Sequence, residues 1–551
     1  MEELIDAVGS FGRFQWMLIL LIMVSKITFG FSMLIMAFGV VIPDWWCFAP
    51  GSDSISGNFT NRTSFNFKKC DVIVDNVTLP SCIRVFETSI TSTVVSAFDL
   101  VCEKEWIKPV LTAVQMGGVL VGALLAGQAG DTIGRKKTIY LCMLLHAIFN
   151  FTIIFSVNWE MFAAFRFLIG LTIGGYLVIV VYPLEFIGTH RRALASSLPF
   201  WAVGVCMLAL VAYLIPDWEC LHLLCGGFTM PFLLGWFFVP ESMRWLATKD
   251  KIPEALEILT RIAKINGTVV PTNAESVLKK LSEAEKQQNE GLKKYTYLDI
   301  YRGLTMFKTT FCIQFIWFSV AAVYYGVIFG ISALAGNFYL NFFIVNSLEM
   351  PLFLPAVWVL EKIGRRLGTS LPLFLAGGLC IIVIIVQEAT DTARSTAITG
   401  LSLAAKLLVG AAWMALLLIT NESYPTVIRY VGYGAANTVA RVGGILAPFI
   451  FNVSKNRIAP FVIMSVLLIL SGIAGLFLKE TKDMALPDLM VTKETHNKTK
   501  QTMEEEEGGH IGPYQVGSDD VIIDSINDDR NQDKKSKDIN DRHSNEVNTY
   551  L

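Results

Sequence analysis

Five charged side chains stand inside long apolar runs: Lys26, Arg166, Glu349, Lys406 and Arg441. A charge is expensive in such a run and marks a functional position by default. Arg441, in Asn437-Thr438-Val439-Ala440-Arg441, is the best case. A guanidinium fork holds a carboxylate or a sulfate through two parallel hydrogen bonds. The competing reading gives Arg441 an internal carbonyl or acid and a structural role. Lys26 and Lys406 have Glu349 as a candidate partner, or serve a gate. Tyr324, Tyr325, Trp201 and Trp413 stand within the same kind of run. Their rings offer stacking and cation–π contacts to a mixed organic ligand.

A second set of charges lies at the ends of the runs, and it occurs twice. Glu185 precedes Arg192 by seven residues, and Glu422 precedes Arg429 by seven, with the glutamates 237 apart. Gly134-Arg135-Lys136 is echoed by Gly364-Arg365-Arg366, and Pro240-Glu241-Ser242 by Lys479-Glu480-Thr481. Arg166 has its counterpart in Lys406. Four registers that agree on one period indicate a duplication. Glu241 and Glu480 with Arg192 and Arg429 are candidates for ion-pair clusters that close a gate when the halves meet, or that support the fold statically.

The elements that carry these residues follow from composition. The chain has 551 residues, 53% hydrophobic and only 17% charged, with a mean hydropathy of +0.52. Soluble proteins average about 25% charged residues. An integral membrane protein is implied. Whole-length disorder, a collagen-like chain and a small disulfide scaffold are excluded. A net charge of -2 supplies no basic field for nucleic acid. One bilayer crossing takes about 20 apolar residues. Twelve such stretches are present, near 16–38, 109–128, 138–156, 160–183, 195–215, 221–239, 306–328, 338–360, 370–387, 396–420, 431–451 and 459–478. The basic loops, such as Arg135-Lys136-Lys137 and Lys362 with Arg365-Arg366, fall on one side. That side and both termini are expected in the cytoplasm.

The expected fold is an all-α membrane protein of twelve transmembrane helices in two six-helix pseudo-repeats, 16–239 and 306–478. Two such halves related about the membrane normal are the arrangement of major facilitator transporters. A cytoplasmic N-terminus, 1–15, precedes them. The central cytoplasmic loop, 240–305, holds amphipathic helices near 253–265 and 274–287. The large outer loop, 39–108, carries Cys47, Cys70, Cys82 and Cys102, which suggest two disulfides in one of three pairings. It also carries glycosylation sequons at Asn58, Asn61 and Asn76. The sequon at Asn266 lies on the cytoplasmic side and is expected to be silent. The acidic tail, 479–551, reads as disordered, and Thr549-Tyr550-Leu551 has the form of a PDZ-domain ligand. No nucleotide loop, metal-ligand spacing or nucleophile–base motif stands out, so neither an enzyme nor a bound cofactor or metal is expected. A coupling ion is not readable.

Gly127-Gln128-Ala129-Gly130-Asp131 with Gly134-Arg135-Lys136-Lys137 resembles the loop 2–3 signature of the major facilitator superfamily. Pro240-Glu241-Ser242-Met243-Arg244-Trp245-Leu246 resembles a signature shared by sugar porters and organic ion transporters. Phe11-Gly12-Arg13-Phe14-Gln15, the loop from Pro43 to Trp106 and Glu422 to Arg429 complete a resemblance to the organic ion transporter family over about residues 8–482. Asp44-Trp45-Trp46 and Asn421-Glu422-Ser423 depart from its usual pattern. The resemblance implies alternating access in the plasma membrane, with a cavity near the midplane. The position of Arg441 is typically acidic in the family's cation carriers and arginine in its anion carriers. Lys406 matches a lysine common in the anion carriers, and Phe353 replaces a second basic residue. Tyr324 and Tyr325 match a tyrosine pair. An organic anion or a carnitine-like zwitterion is therefore the expected substrate. An organic cation, a sugar and a non-transporting receptor or scaffold are the alternatives.

Overall fold

The apolar runs fold into twelve helices: α1 (Arg13–Gly39), α2 (Ile107–Thr132), α3 (Arg135–Thr152), α4 (Trp159–Ile179), α5 (Phe200–Leu214), α6 (Trp218–Leu233), α7 (Leu304–Phe329), α8 (Phe338–Ser347 with Glu349–Ile363), α9 (Arg365–Gln387), α10 (Arg394–Ser423), α11 (Arg429–Ile450) and α12 (Ala459–Leu476). This computed structural model describes residues 2–48, 92–180, 182–188, 191, 195, 198–291, 297–387, 394–424, 428–451 and 458–482, and in the first loop 65–67, 70, 72–74, 77–79 and 83–87. Cys82, Asn58, Asn61, Asn76, Arg192, Thr549-Tyr550-Leu551 and the side chains of Cys47 and Phe353 lie outside the described residues.

Nine helices among the described residues are long and apolar enough to cross a membrane on their own. The other three have physical reasons to fall short. The α5 helix is short, and α11 is rich in glycine and polar residues. The α8 helix breaks at Leu348. Pro351 explains that break, because it has no N–H to offer the Ser347 carbonyl and its ring crowds that group. Bulky apolar side chains such as Leu125, Phe237, Leu375 and Ile385 are exposed, while Arg166, His146, Asn150 and His222 are sealed inside. Lipid, not water, suits such a surface.

Close helix packing depends on missing side chains. A Cβ at Gly122 would overlap the Leu171 carbonyl, and one at Gly174 would overlap that of Val119. These glycines let α2 and α4 touch backbone to backbone. Gly122→Ala is therefore expected to destabilise the protein by about 1–3 kcal/mol. The check is a lower melting temperature in detergent, with Gly117→Ala, which meets open space, unchanged.

The loop between α1 and α2 adds short strands to the helical frame. Trp45–Phe48 pairs antiparallel with Phe65–Phe67 and with Ile83–Phe86, and Val72–Val74 pairs with Val77–Leu79. Their β-branched and aromatic residues favour the pleated form. A disulfide joins Cys70 to Cys102, and one of the three pairings contains it. Between the halves, the helices Ile252–Asn266 and Ala274–Gly291 appear where amphipathic periodicity predicts them. Asn266 is occupied structurally. Its amide donates to the Val8 carbonyl at 2.9 Å and accepts from the Phe14 N–H at 3.0 Å, which ties the N-terminal segment to this layer.

Candidate functional site

A cavity of about 390 Å³ lies between the two six-helix sets. Trp201 on α5 and Leu177 on α4 form part of its wall from the first half. Tyr324 and Tyr325 on α7, Glu349 on α8, Trp413 on α10 and Arg441 on α11 face it from the second. Five of the six expected binding residues are thus brought together. Lys406 is a correction. It is fully buried and stands behind the wall.

Lys406 is there because Glu349 is. Its ammonium forms an ion pair with Glu349, donates to Asn346 Oδ1 at 3.1 Å and lies 4.5 Å from the centre of the Tyr324 ring. Tyr324 donates its hydroxyl to Glu349 Oε2 at 3.0 Å. The carboxylate keeps one face on the cavity while its charge is balanced from behind. Sequence reading had Glu349 only as a partner for a lysine. Its place beside the helix-breaking Pro351 was the available signal of a wall position.

Arg441 has no such balance. Among the described residues it makes no ion pair, and its Nε is buried without an acceptor. The wall therefore presents one uncompensated positive charge beside aromatic faces. Tyr324 packs on Tyr325 at 5.4 Å and on Trp413 at 5.7 Å between ring centres. Trp317, which donates to Thr420 at 2.9 Å, backs Trp413 at 5.7 Å. A flat organic group fits these rings, and an acidic group fits Arg441.

The two ends of the cavity differ. At one end the halves meet through rings: Phe38 of α1 packs on Phe338 and Phe342 of α8 at 4.9 and 4.8 Å, and Tyr213 of α5 packs on Tyr339 at 5.6 Å. At the other end lie the repeated charge clusters, one in each half. Arg135 pairs with Asp131 at 2.6 Å and approaches Glu185 at 3.8 Å. Glu241 accepts the Lys136 N–H at 3.0 Å, and Ser242 donates to Glu185. In the second half Arg365 approaches Glu422 at 3.3 Å, Glu480 accepts the Arg365 N–H at 2.8 Å, and Thr481 donates to Glu422. Gly134 and Gly364 have φ of 112° and 88°, and a Cβ on either would crowd the capping glutamate. Each glutamate sits on a helix N-terminus, where the dipole favours a negative charge.

The gate residues expected from sequence separate accordingly. Glu241 and Glu480 cap helices in their own halves. Arg429 donates to the Tyr424 carbonyl at 3.4 Å, and Arg244 is exposed. Arg166 is buried, donates to Gln115 and pairs with no acid among the described residues. Burial works to raise the Glu480 carboxyl, but backbone N–H groups of Arg365, Lys482, Arg366 and Thr481 outweigh it and hold it below the usual 4.5. A lowered carboxyl stabilises the fold fully above its ordinary pKa and loses that contribution as pH falls through the lowered value. Glu480→Gln is expected to cost about 1–2 kcal/mol at pH 7. The melting-temperature gap to wild type should hold from pH 7 to 6 and shrink once the wild-type carboxyl protonates.

The sequence model of the sugar (and other) transporter family matches residues 18–490. Organic cation/carnitine transporter 2 of Homo sapiens is 31% identical, over 90% of this chain and 95% of its own length. The chain belongs to the organic ion transporter family of the major facilitator superfamily. Rattus norvegicus organic anion transporter 3 is likewise 31% identical, over 94% of this chain and 99% of its own length. Solute carrier family 22 member 21 of Mus musculus is 30% identical over 91% and 94%. Among solved structures, the inward-open xylose transporter XylE from E. coli matches 86% of this chain and 98% of its own with a TM-score of 0.62. At 14% identity that likeness shows the fold. As an organic ion transporter, the chain is a multi-pass membrane protein that moves small organic ions. Its relatives carry names for cations, for carnitine and for anions alike, so the sign of the cargo is argued from the cavity.

Proposed function

We propose that this protein is a plasma-membrane carrier for organic anions, including zwitterions with a carboxylate, and that it works by alternating access. One observation carries the reading. Arg441 faces the cavity without an ion-pair partner among the described residues, whereas Glu349, the acid on the same wall, is balanced by Lys406. A site with a net positive charge attracts anions and repels cations. The substrate's acidic group binds Arg441, and its flat or quaternary part lies against Tyr324, Tyr325, Trp413 and Trp201. The halves then rock about the bound molecule. The aromatic contacts at one end and the charge clusters at the other are the two gates, the clusters on the cytoplasmic side with both termini. A PDZ-domain partner at Thr549-Tyr550-Leu551 belongs to the same reading.

Glu349 with its aromatic neighbours supports a second reading, an organic cation carrier in which the substrate's ammonium displaces Lys406. Uptake of labelled carnitine, urate, an aryl sulfate, a quaternary ammonium and a hexose separates the possibilities. Saturable uptake of the acidic or zwitterionic compounds supports the proposal. Uptake of the quaternary ammonium alone reverses the charge assignment, hexose uptake alone restores a sugar porter, and no uptake of any favours a receptor or scaffold.

A further inference from the structure

At the end where the charge clusters lie, the first half carries a feature that the duplication did not give the second. Six residues after Gly134 and Gly364 stand Tyr140 and Ser370, and five before the capping glutamates stand Trp236 and Gly475. One half thus has two rings where the other has a hydroxyl and a bare backbone. Tyr140 meets Trp236 edge-on at 5.5 Å between ring centres, and Trp236 lies exposed in the turn Leu234–Phe237 that follows α6. Lys136 stretches over this ring, its ammonium 4.7 Å from the centre. Arg261, on the central helix Ile252–Asn266, donates to the Phe238 carbonyl at 3.2 Å and stands close enough to Lys136 for the two charges to repel.

Two cations are therefore held beside one another, one by a ring and one by a carbonyl. Among the described residues neither makes an ion pair, and nor does Lys137 beside them. The acids nearby are engaged or apart. Glu241 offsets part of the Lys136 charge, but it accepts from the backbone N–H groups of Lys136 and Ser242. Asp131 and Glu185 face Arg135, and Glu254 pairs with Lys251. Glu257, one turn before Arg261, makes no ion pair with it. Lys137 also heads an exposed stripe of α3, where Leu141, Leu144 and Ile148 follow at the spacing of one helix face. Leu234 and Phe237 are exposed beside Trp236. Such a stripe meets acyl chains, and an exposed tryptophan at its end marks headgroup depth.

We propose that Lys136, Lys137 and Arg261, grouped around Trp236, form a headgroup site for an anionic phospholipid that carries a phosphate monoester, as a phosphoinositide does. Neighbouring cations without acids of their own suit a multiply charged group, and the arginine fork matches phosphate geometry. A phosphatidylserine headgroup would bring its own ammonium against them. The loop charges assign this end to the cytoplasmic side, whose leaflet holds the anionic lipids. The inference does not depend on the sign of the cargo.

Native mass spectrometry of the full chain in detergent tests it. The probes are phosphatidylinositol 4-phosphate, phosphatidylserine, phosphatidylcholine and soluble inositol 1,4-bisphosphate. The proteins are wild type, Lys136→Gln, Lys136→Arg, Arg261→Gln and, as a control, Lys280→Gln, an exposed lysine elsewhere in the central loop. Wild type should bind the phosphoinositide about tenfold or more tighter than either other lipid. Lys136→Gln and Arg261→Gln should each lose about tenfold or more for it, with unchanged melting temperatures in the absence of lipid. Lys136→Arg should recover the binding, and Lys280→Gln should stay within about twofold of wild type. Equal binding of phosphatidylserine overturns the inference. So does an equal loss in Lys280→Gln, which would mean diffuse surface charge, or unchanged binding in both Lys136→Gln and Arg261→Gln. Inositol 1,4-bisphosphate binding as tightly as the lipid overturns it too, in favour of a soluble phosphate. Uptake does not enter the readout, so failure here and failure of the transport reading are told apart.

Discussion

Arg441→Ala is expected to lower uptake of an organic anion by about 100-fold or more while surface expression stays normal. Hydrogen bonds to charged groups contribute about 1.5–3 kcal/mol each, and a bidentate fork makes two. Even the lower figure gives a factor of more than 100 at 1.4 kcal/mol per decade. Stability should hardly change, because Arg441 has no ion-pair partner among the described residues to strand. That combination separates a ligand-binding arginine from a structural one, whose removal would lower the melting temperature and expression together. Arg441→Lys keeps the charge but loses the planar fork, so intermediate uptake is expected. Kinetics in whole cells, normalised to surface biotinylation, provide the check.

Glu349→Ala should produce the opposite pattern: a large loss of stability. Lys406 is fully enclosed, and removing its carboxylate leaves a buried ammonium with Asn346 as its remaining hydrogen-bond acceptor among the described residues. Breaking one side of a buried ion pair typically costs about 3–5 kcal/mol. A marginally stable membrane protein should then reach the surface poorly and melt far below wild type. The double variant Glu349→Ala with Lys406→Met removes both charges and should recover most of that loss. Thermal melting of wild type, Glu349→Ala, Lys406→Met and the double variant in detergent tests the pair directly. A double variant no better than Glu349→Ala would mean that Glu349 matters through another contact.

Helix count, repeat and family were legible in the sequence because membrane burial imposes coarse, regular signals. Twenty-residue apolar runs, loop charges and a period shared by Gly134 and Gly364, Glu185 and Glu422, and Glu241 and Glu480 survive without any contact information. Cavity-lining residues were legible where depth in a span was the main constraint, as for Arg441 and Tyr324. Depth does not tell which face of a helix meets the cavity. Lys406 and Glu349 show the difference: both lie in spans, yet only the glutamate reaches the wall, and the lysine turns to meet it. The gate clusters show a second limit. The sequence groups Glu241 and Glu480 with Arg192 and Arg429 but cannot say which group each glutamate meets, and in the structure both capping glutamates bind backbone N–H groups of their own half. The strands of the first loop went unread because its short β-branched segments lie between sequons and cysteines, with no long period to reveal them.

Counterflow in proteoliposomes tests the central claim most directly. Vesicles of purified protein are loaded with an unlabelled aryl sulfate, diluted into a trace of the labelled compound, and followed for transient accumulation. A carrier that exposes one anion site alternately to each side predicts an overshoot, abolished by Arg441→Ala and untouched by a quaternary ammonium outside. Entry without an overshoot, or an overshoot supported by the quaternary ammonium and not by the sulfate, would contradict it.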